Sequence, residues 1–425
     1  MRGAITTSIL ALILVVCLFT SGCGSGTLSA SNPSQPVNNG NPPSPTPTPA
    51  GNPSPTPTPS PVPAALVTRF AYMVHSDFAV HGFSVNADTG TTTALPQGPV
   101  TVGTGFTTYV AADKLGRFLY VVGTSAFPHG NKIGQDEIGM FRINSSSGNL
   151  TAIDPPILLD KPAGSIVISP DSKFLYMAQS EGILVFSINQ NTGSLTKLPG
   201  SPFVVADPNT INSLDGLSIA PSGNFLYIAQ DNISGGDHSQ ISVYALDPSS
   251  GIPKPAPAGS TFEIAPAFFA DPLAADPLGR FIYTGGLISG PNLDVHKVQS
   301  TGALSVVPGS PFPTDDHIWV IAPDPTGRYL YAISGIETTA GIYAFSIDQI
   351  SGALTPVAGS PFASSKNGAI TVDQTGKFLF MVGATGTNIE LLTYEIDPST
   401  GALTLVSGNP ADDGVLEGAV TTVAY

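Results

Sequence analysis

Residues that could bind or transform a small polar molecule recur at one place in a repeated pattern of this 425-residue chain. They stand just before, or at the start of, the first apolar strand predicted in each repeat: Thr108, Ser165, Asp215, Asp271, His317, Trp319, Lys366 and Glu417. Carboxylates, an imidazole, an ammonium and an indole around one cavity could hold such a ligand, and a histidine beside a carboxylate could act as a general base. The alternative is a solvated rim, with Trp319 packed between neighbouring repeats.

The repeat itself is marked by a Phe-x-Tyr-type triplet that returns roughly every 50 residues, a period typical of propeller blades. The copies lie at residues 70–72, 118–120, 174–176, 225–227, 281–283, 329–331 and 378–380. Each triplet begins a run of small or apolar residues. We therefore predict seven repeats of one β-structured unit.

One unit can be divided into four predicted strands, A to D, at residues 165–168, 174–178, 183–188 and 195–198. Turn residues separate them: Ser-Pro-Asp-Ser at 169–172 and Asn-Thr-Gly at 191–193, followed by Gly-Ser-Pro-Phe at 200–203. Both faces of strand B are apolar, which is typical of a sheet packed between two others.

The two ends of the repeat region complement each other. The first unit begins at strand B with Phe70, and residues 418–423 read as a strand A with no strand B after it. The C-terminal strand can therefore complete the first blade and remove the exposed sheet edges. The predicted fold is an all-β, seven-bladed β-propeller with four antiparallel strands per blade.

These motifs resemble the lactonase-type seven-bladed propellers, which are also known for YVTN-type repeats. Ser-Pro-Asp-x-x-Phe-Leu-Tyr, Ile-x-Val-Phe-x-Ile, Thr-Gly-x-Leu and Gly-Ser-Pro-Phe carry the resemblance, with the best match at residues 169–203. The family includes 6-phosphogluconolactonases, muconate-cyclising enzymes and envelope proteins with no assigned reaction. The resemblance therefore implies the fold more directly than the activity.

Variable loops indicate where function would lie. The B–C and D–A connections differ in length, whereas the A–B and C–D turns are short and nearly constant. In a propeller both variable connections fall on one face, around the mouth of the central channel, and functional residues are common on such loops. We expect a binding or interaction module on this face, with a small molecule, a glycan or a protein as its partner.

The resemblance also implies an alternative, a lactone hydrolase or related lyase. Family enzymes use a histidine, a carboxylate and arginines at the mouth, and only His317 falls at a matching position, with Asp215 or Asp271 to orient it. No arginine is predicted at the mouth. This disfavours a phosphorylated lactone, which needs cations for its phosphate, more than a neutral one.

The N-terminal region predicts export of the protein to the cell envelope. Residues 1–22 have the positive start and short apolar run of a signal peptide. Thr-Ser-Gly-Cys at 20–23 resembles a bacterial lipobox, which implies that Cys23 is acylated and anchors the protein in a membrane; an ordinary signal peptide is the alternative. Residues 23–64 form a Pro/Ser/Thr-rich disordered tether, and residues 65–425 form the propeller. Gly24 after the cysteine favours the outer membrane.

Net charge and motifs further narrow the classes of partner and ligand that we expect. The net charge of −15 makes nucleic acid a poor partner. We predict no cofactor. A divalent cation stays an alternative, because acidic and histidine residues share two loops, at 129–137 and 231–238, although neither has a recognised ligand spacing.

Overall fold

The computed structural model describes residues 67–425, except 76–78, 103–105, 125–135, 180–181, 204–212, 233–237, 257–260, 264–271, 286–291, 315–316, 335–340, 365, 386–387, 407–410 and 414–417. The signal peptide, Cys23 and the tether lie outside the described residues, so these assignments stay predictions. Within the described part, all regular elements are β-strands. A search of that part finds no helix with the length and apolarity that crossing a membrane requires.

Seven antiparallel sheets, each with strand order A-B-C-D, confirm the predicted propeller. For blades one to seven, the A strands are β34 (Gly418–Ala424), β5 (Phe106–Ala112), β10 (Ile166–Ile168), β14 (Ser213–Ile219), β19 (Leu273–Ala275), β24 (Ile318–Pro323) and β29 (Lys366–Val372). The B strands are β1 (Thr68–His75), β6 (Phe118–Thr124), β11 (Phe174–Gln179), β15 (Phe225–Asn232), β20 (Phe281–Gly285), β25 (Tyr329–Ser334) and β30 (Phe378–Thr385). The C strands are β2 (Ala79–Val85), β7 (Asp136–Ile143), β12 (Gly182–Ile188), β16 (His238–Leu246), β21 (Asn292–Val298), β26 (Gly341–Ile347) and β31 (Asn388–Ile396). The D strands are β3 (Thr92–Ala94), β8 (Leu150–Ala152), β13 (Leu195–Lys197), β17 (Pro253–Pro255), β22 (Leu304–Val306), β27 (Leu354–Pro356) and β32 (Leu403–Leu405).

The ring closes where the sequence predicts it. β34 pairs antiparallel with β1, with Val423 opposite Phe70 and Gly418 opposite His75. Each A strand contacts the A strands of both neighbouring blades, including β34 with β5 and with β29. The A strands therefore form one closed inner ring.

Most blades gain a short fifth strand that the four-strand prediction lacks. Six short segments pair with the strand C of their own sheet: β4 (Val100–Thr101), β9 (Ile157–Leu159), β18 (Thr261–Glu263), β23 (Phe312–Pro313), β28 (Phe362–Ala363) and β33 (Ala411–Asp413). In the third blade a single bridge, Ile183 to Phe203, takes this place. The Gly-Ser-Pro-Phe motif explains part of this pairing. Its serine hydroxyl accepts a hydrogen bond from strand C, for example Ser201 Oγ from the Val185 amide at 2.7 Å.

The two faces of strand B pack against different blades, as its apolar pattern predicts. Phe118 and Tyr120 of the second blade pack against Leu175 of the third. Leu119, on the other face, packs in the cluster of the first blade. The hydrophobic core is therefore a series of clusters between blades.

Candidate functional site

A cavity of about 320 Å³ occupies the centre of the inner ring. All seven blades contribute to its wall, which includes Tyr109, Ser165, Leu217, Leu273, Trp319, Ile370 and Val420. Most of the described lining is apolar, and Ser165 contributes a polar side chain from a strand start. This arrangement suits a small ligand with apolar faces, because ligand sites are concave, mainly hydrophobic and have few polar groups.

Within the described residues, four A strands carry a β-bulge at the level of this cavity. The register shifts at Thr108 in β5, within 215–216 in β14, at Trp319 in β24 and within 367–368 in β29. A bulge inserts one unpaired residue, bends the strand and re-aims side chains, and bulges are common next to active sites. The bulges therefore help to shape the cavity wall.

Trp319 is the only tryptophan of the chain and the bulged residue of β24. Its side chain is 42% exposed and lines the central cavity. Its flanking residue Ile318 is fully buried. The backbone at Trp319 is thus held by the packed core while the indole is left accessible to a ligand.

His317 and Ser165 are two further predicted site residues that the structure describes. His317 stands just before β24, is half-buried, and its Nδ1 atom is shielded from solvent. Ser165 lines the cavity, and its Oγ accepts a hydrogen bond from the Leu217 amide of the next blade at 3.1 Å. Ser165 therefore also links two blades, a structural task that the sequence did not indicate.

The remaining candidates are only partly described. Thr108, Asp215 and Lys366 belong to β5, β14 and β29, but their side chains lie outside the described part. Asp271 and Glu417 lie outside the described residues altogether. A contact between His317 and a carboxylate therefore stays a prediction.

Sequence reasoning missed Tyr109 and the aliphatic wall. Tyr109 lines the cavity, directly after the bulged Thr108. A bulge shifts the side chains that follow it by one position, so an alignment of the repeats does not identify which residue faces the centre.

Three of the described arginines are engaged away from the cavity. Arg117 Nε lies 2.9 Å from Asp113 Oδ2, and Arg280 Nη2 lies 2.7 Å from Asp276 Oδ1, both pairs in A–B turns. In strand C of the second blade, Arg142 Nη2 donates to the Asn191 carbonyl oxygen at 2.8 Å. No arginine or lysine is among the described residues that line the cavity.

Metal ligands do not gather in the described part of the chain. There, no group of three or more histidine, cysteine, aspartate or glutamate side chains is placed to hold an ion. Of the two loops considered from the sequence, Asp136 and Glu137 are described and buried. The side chains of His129, Asp231, Asp237 and His238 lie outside the described residues.

Comparisons with known proteins agree with this architecture. The model of the family "Lactonase, 7-bladed beta-propeller" matches residues 124–320 and 321–415, more than half of the chain. Among proteins of curated function, none matches this sequence.

Solved structures of similar fold include proteins with sugar-lactone assignments. A provisionally assigned 6-phosphogluconolactonase of Bacteroides fragilis aligns with a TM-score of 0.65 and 19% identity, covering 86% of this chain and 100% of its own. A periplasmic gluconolactonase of Pseudomonas aeruginosa aligns with a TM-score of 0.62 and 16% identity, covering 83% and 99%. Such low identities establish the fold alone. With the family model, the motifs and the closed ring in agreement, the chain belongs to the lactonase family of seven-bladed β-propellers.

Proposed function

We propose that the protein is a binding module that holds a compact, uncharged ring molecule, of the sugar or lactone class, in its central cavity. The observation that carries the proposal is Trp319, an exposed indole on a β-bulge in a cavity whose described lining is largely apolar. The C–H face of a sugar ring can pack on an indole. The backbone groups that a bulge leaves unpaired can receive the hydroxyl groups at the ring edge.

Size and charge support this ligand class. The cavity of about 320 Å³ is at the lower end of small-molecule sites, which span roughly 300–1,000 Å³. A phosphorylated ligand would bring negative charge into a protein of net charge −15, to a described wall without a cation. An uncharged ring avoids that cost.

The predicted lipid anchor on Cys23 and the tether at 23–64 support a place for this module at the bacterial cell envelope, on the outer membrane. An extended Pro-rich tether would let the domain reach solutes or polymers at a distance from the membrane surface. Globomycin, which blocks lipoprotein signal peptidase, tests this placement. The anchored protein should accumulate as an uncleaved precursor, whereas an ordinary secreted protein would be processed normally.

Tryptophan fluorescence tests ligand binding directly, because Trp319 is the only indole. Titration with D-glucono-1,5-lactone, D-glucose and a 6-phosphorylated sugar should shift the emission with the neutral rings and leave it unchanged with the phosphate. Emission that responds to none of them, or to the phosphorylated sugar first, would refute the proposed ligand class.

Hydrolysis of a neutral lactone is the second candidate function. It is favoured by family membership and by His317, two residues from Trp319 at the start of β24. His317 would take a proton from water as the water oxygen adds to the lactone carbonyl carbon. The ring C–O ester bond would then break, and the proton would pass to the released alkoxide to give a hydroxy acid.

His317→Ala separates the two functions. An enzyme that uses His317 as its base should lose roughly 10²–10⁴-fold in turnover while the fluorescence titration is retained. A binding module should show no turnover above the spontaneous rate in either protein. Turnover that survives unchanged in His317→Ala would exclude His317 as the base.

A further inference from the structure

A second cavity, of about 240 Å³, opens at the joint between the third and fourth blades, on the face of the short turns. Its sides are the A–B turn of blade three, with Asp171, and the C–D turn of blade four, with Asp247 and Pro248. Phe174 and Tyr176 of β11 also line it. It is separate from the central cavity and does not depend on the proposed function.

At equivalent places in four other blades, the protein supplies its own cation. The residue before the first strand B aromatic lies with its charged group over that ring: Arg117 over Phe118 at 4.9 Å, Arg280 over Phe281 at 5.2 Å, Arg328 over Tyr329 at 5.4 Å and Lys377 over Phe378 at 5.0 Å. Cations at such distances are attracted by the ring quadrupole.

Two of these arginines also bridge to the next blade through a glutamine. Arg117 Nη2 donates to Gln190 Oε1 at 3.1 Å, and Arg280 Nη1 donates to Gln349 Oε1 at 2.6 Å. Both glutamines occupy the second position of a C–D turn. A cation and a glutamine together therefore fill the joint.

The third blade departs from this pattern both at the residue before its strand B aromatic and at the second position of the facing C–D turn. Its cation, Lys173, pairs with Asp171 of its own turn, with Nζ 2.9 Å from Oδ2. The second position of the facing C–D turn is Pro248, which has no side-chain hydrogen-bonding group. Among the described residues no cation lies over Phe174, and the cavity is found at this joint.

Asp247 gives the cavity a fixed negative charge. Its Oδ1 accepts hydrogen bonds from the amides of Ser249 and Ser250 and from the Ser249 hydroxyl, which leaves Oδ2 for another donor. The same bonds lower the pKa of Asp247 to about 2, so it is ionised at neutral pH. Asp171 stands on the other side of the cavity.

We propose that this cavity binds the guanidinium group of an arginine side chain presented by a partner polypeptide. The guanidinium would lie over Phe174, as Arg117 and Arg280 lie over their own aromatics, and donate to Asp247 Oδ2. Arginine fits better than lysine, because its planar fork both stacks on a ring and pairs with a carboxylate. The net charge of −15 favours the approach of such a basic partner.

The test uses N-acetyl-L-arginine amide as the probe and N-acetyl-L-citrulline amide as its uncharged isostere. Saturation-transfer NMR on the full chain should show the arginine probe binding at least about tenfold more tightly, a difference of about 1.4 kcal/mol. Asp247→Asn should weaken the arginine probe by a similar factor. Equal binding of the two probes would overturn the proposal.

Asp397→Asn is the matched control. Asp397 makes the same hydrogen bonds in the C–D turn of blade seven, to Ser399 and Thr400, far along the chain from this cavity. It should leave probe binding unchanged. If Asp247→Asn and Asp397→Asn have the same effect on binding, the cavity is not the site.

A second variant is designed to fill the cavity with side chains of the protein itself. Lys173→Arg combined with Pro248→Gln rebuilds the pair that closes the joints at Arg117 and Arg280. This double variant should keep its fold, with a melting temperature no lower than that of the parent, and should lose probe binding. Binding that persists in a folded double variant would refute the site.

Discussion

The ring of Phe378 in the last blade lies against Gly90 in the first, where a Cβ on the glycine would stand 2.5 Å from Phe378 Cε1. The same relationship joins every pair of neighbouring blades. The turn glycine of one blade faces the first strand B aromatic of the blade before it: Gly148 with Phe70, Gly193 with Phe118, Gly251 with Phe174, Gly302 with Phe225, Gly352 with Phe281 and Gly401 with Tyr329. The two most regular motifs of the sequence are therefore two halves of one contact.

Gly90→Ala tests this contact at the joint between the last and the first blades. Alanine at φ +74° costs about 1 kcal/mol, and the forced approach to Phe378 adds about 2 kcal/mol. We expect unfolding in urea to show a total loss near 3 kcal/mol. Gly98→Ala is the control, because Gly98 has φ +73° but nothing within 4 Å of a Cβ, so only the backbone cost applies. Equal losses in the two variants would mean that the ring contact contributes nothing.

Tyr72→Phe tests the hydrogen bond that accompanies the contact. The Tyr72 hydroxyl donates to the Gly148 carbonyl oxygen of the next blade at 2.6 Å, and both groups are buried. Removing the donor should cost about 1–2 kcal/mol in thermal or chemical unfolding. Tyr227→Phe is the matched variant, since the buried Tyr227 hydroxyl has no hydrogen-bond partner in the part of the chain that the structure describes. It should be neutral or stabilising, and a loss as large as that of Tyr72→Phe would contradict the argument.

His296 should make the fold sensitive to acid. It is 1% exposed, neither ring nitrogen has a hydrogen-bond partner among the described residues, and its ring centroid lies 4.7 Å from that of Phe262. Burial lowers the pKa of His296 from 6.5 to about 4. Between these values the unfolded chain binds more protons than the folded one, so stability falls as the pH falls.

The expected loss is about 3 kcal/mol between pH 6.5 and pH 4, with no contribution from this residue above pH 6.5. Urea unfolding at a series of pH values would measure it. His296→Leu should flatten the curve in this window by that amount. Parallel curves for the parent and the variant would show that the buried imidazole is not responsible.

Trp319→Ala should separate ligand binding from stability. The indole is 42% exposed, so its removal should change the free energy of unfolding by no more than about 0.5 kcal/mol. Affinity for a neutral ring ligand should fall about tenfold or more, because the aromatic face is lost. Calorimetric titration measures this, with Trp319→Phe as the variant that keeps an aromatic ring. Unchanged affinity in Trp319→Ala would place the ligand elsewhere.

The fold could be predicted because its signals are local. Asp113 shows how: its Oδ1 accepts hydrogen bonds from the amides of Arg117 and Phe118, so one aspartate specifies the turn between strands A and B. Repeated in most blades, such turns define the strand boundaries. The closing strand was predictable from the missing strand A of the first unit.

The site was harder to predict, because it depends on shifts of one residue. Nothing in the hydrophobic pattern of β5 or β24 distinguishes a bulged strand from a regular one. The bulge in β5 nevertheless brings Tyr109, the residue after Thr108, into the cavity wall. The burial of His296 without a hydrogen-bond partner among the described residues depends on its neighbours from other strands. The sequence therefore did not predict it.

The pairing of β34 with β1 leaves the ring without a terminal blade. An open array of repeats can fray from its ends, one unit at a time, since each end has a single neighbour. Here every blade is held on two sides, and opening any one of them breaks two interfaces at once. Unfolding should therefore be a single cooperative event. A weak contact at any joint lowers the stability of all seven blades together.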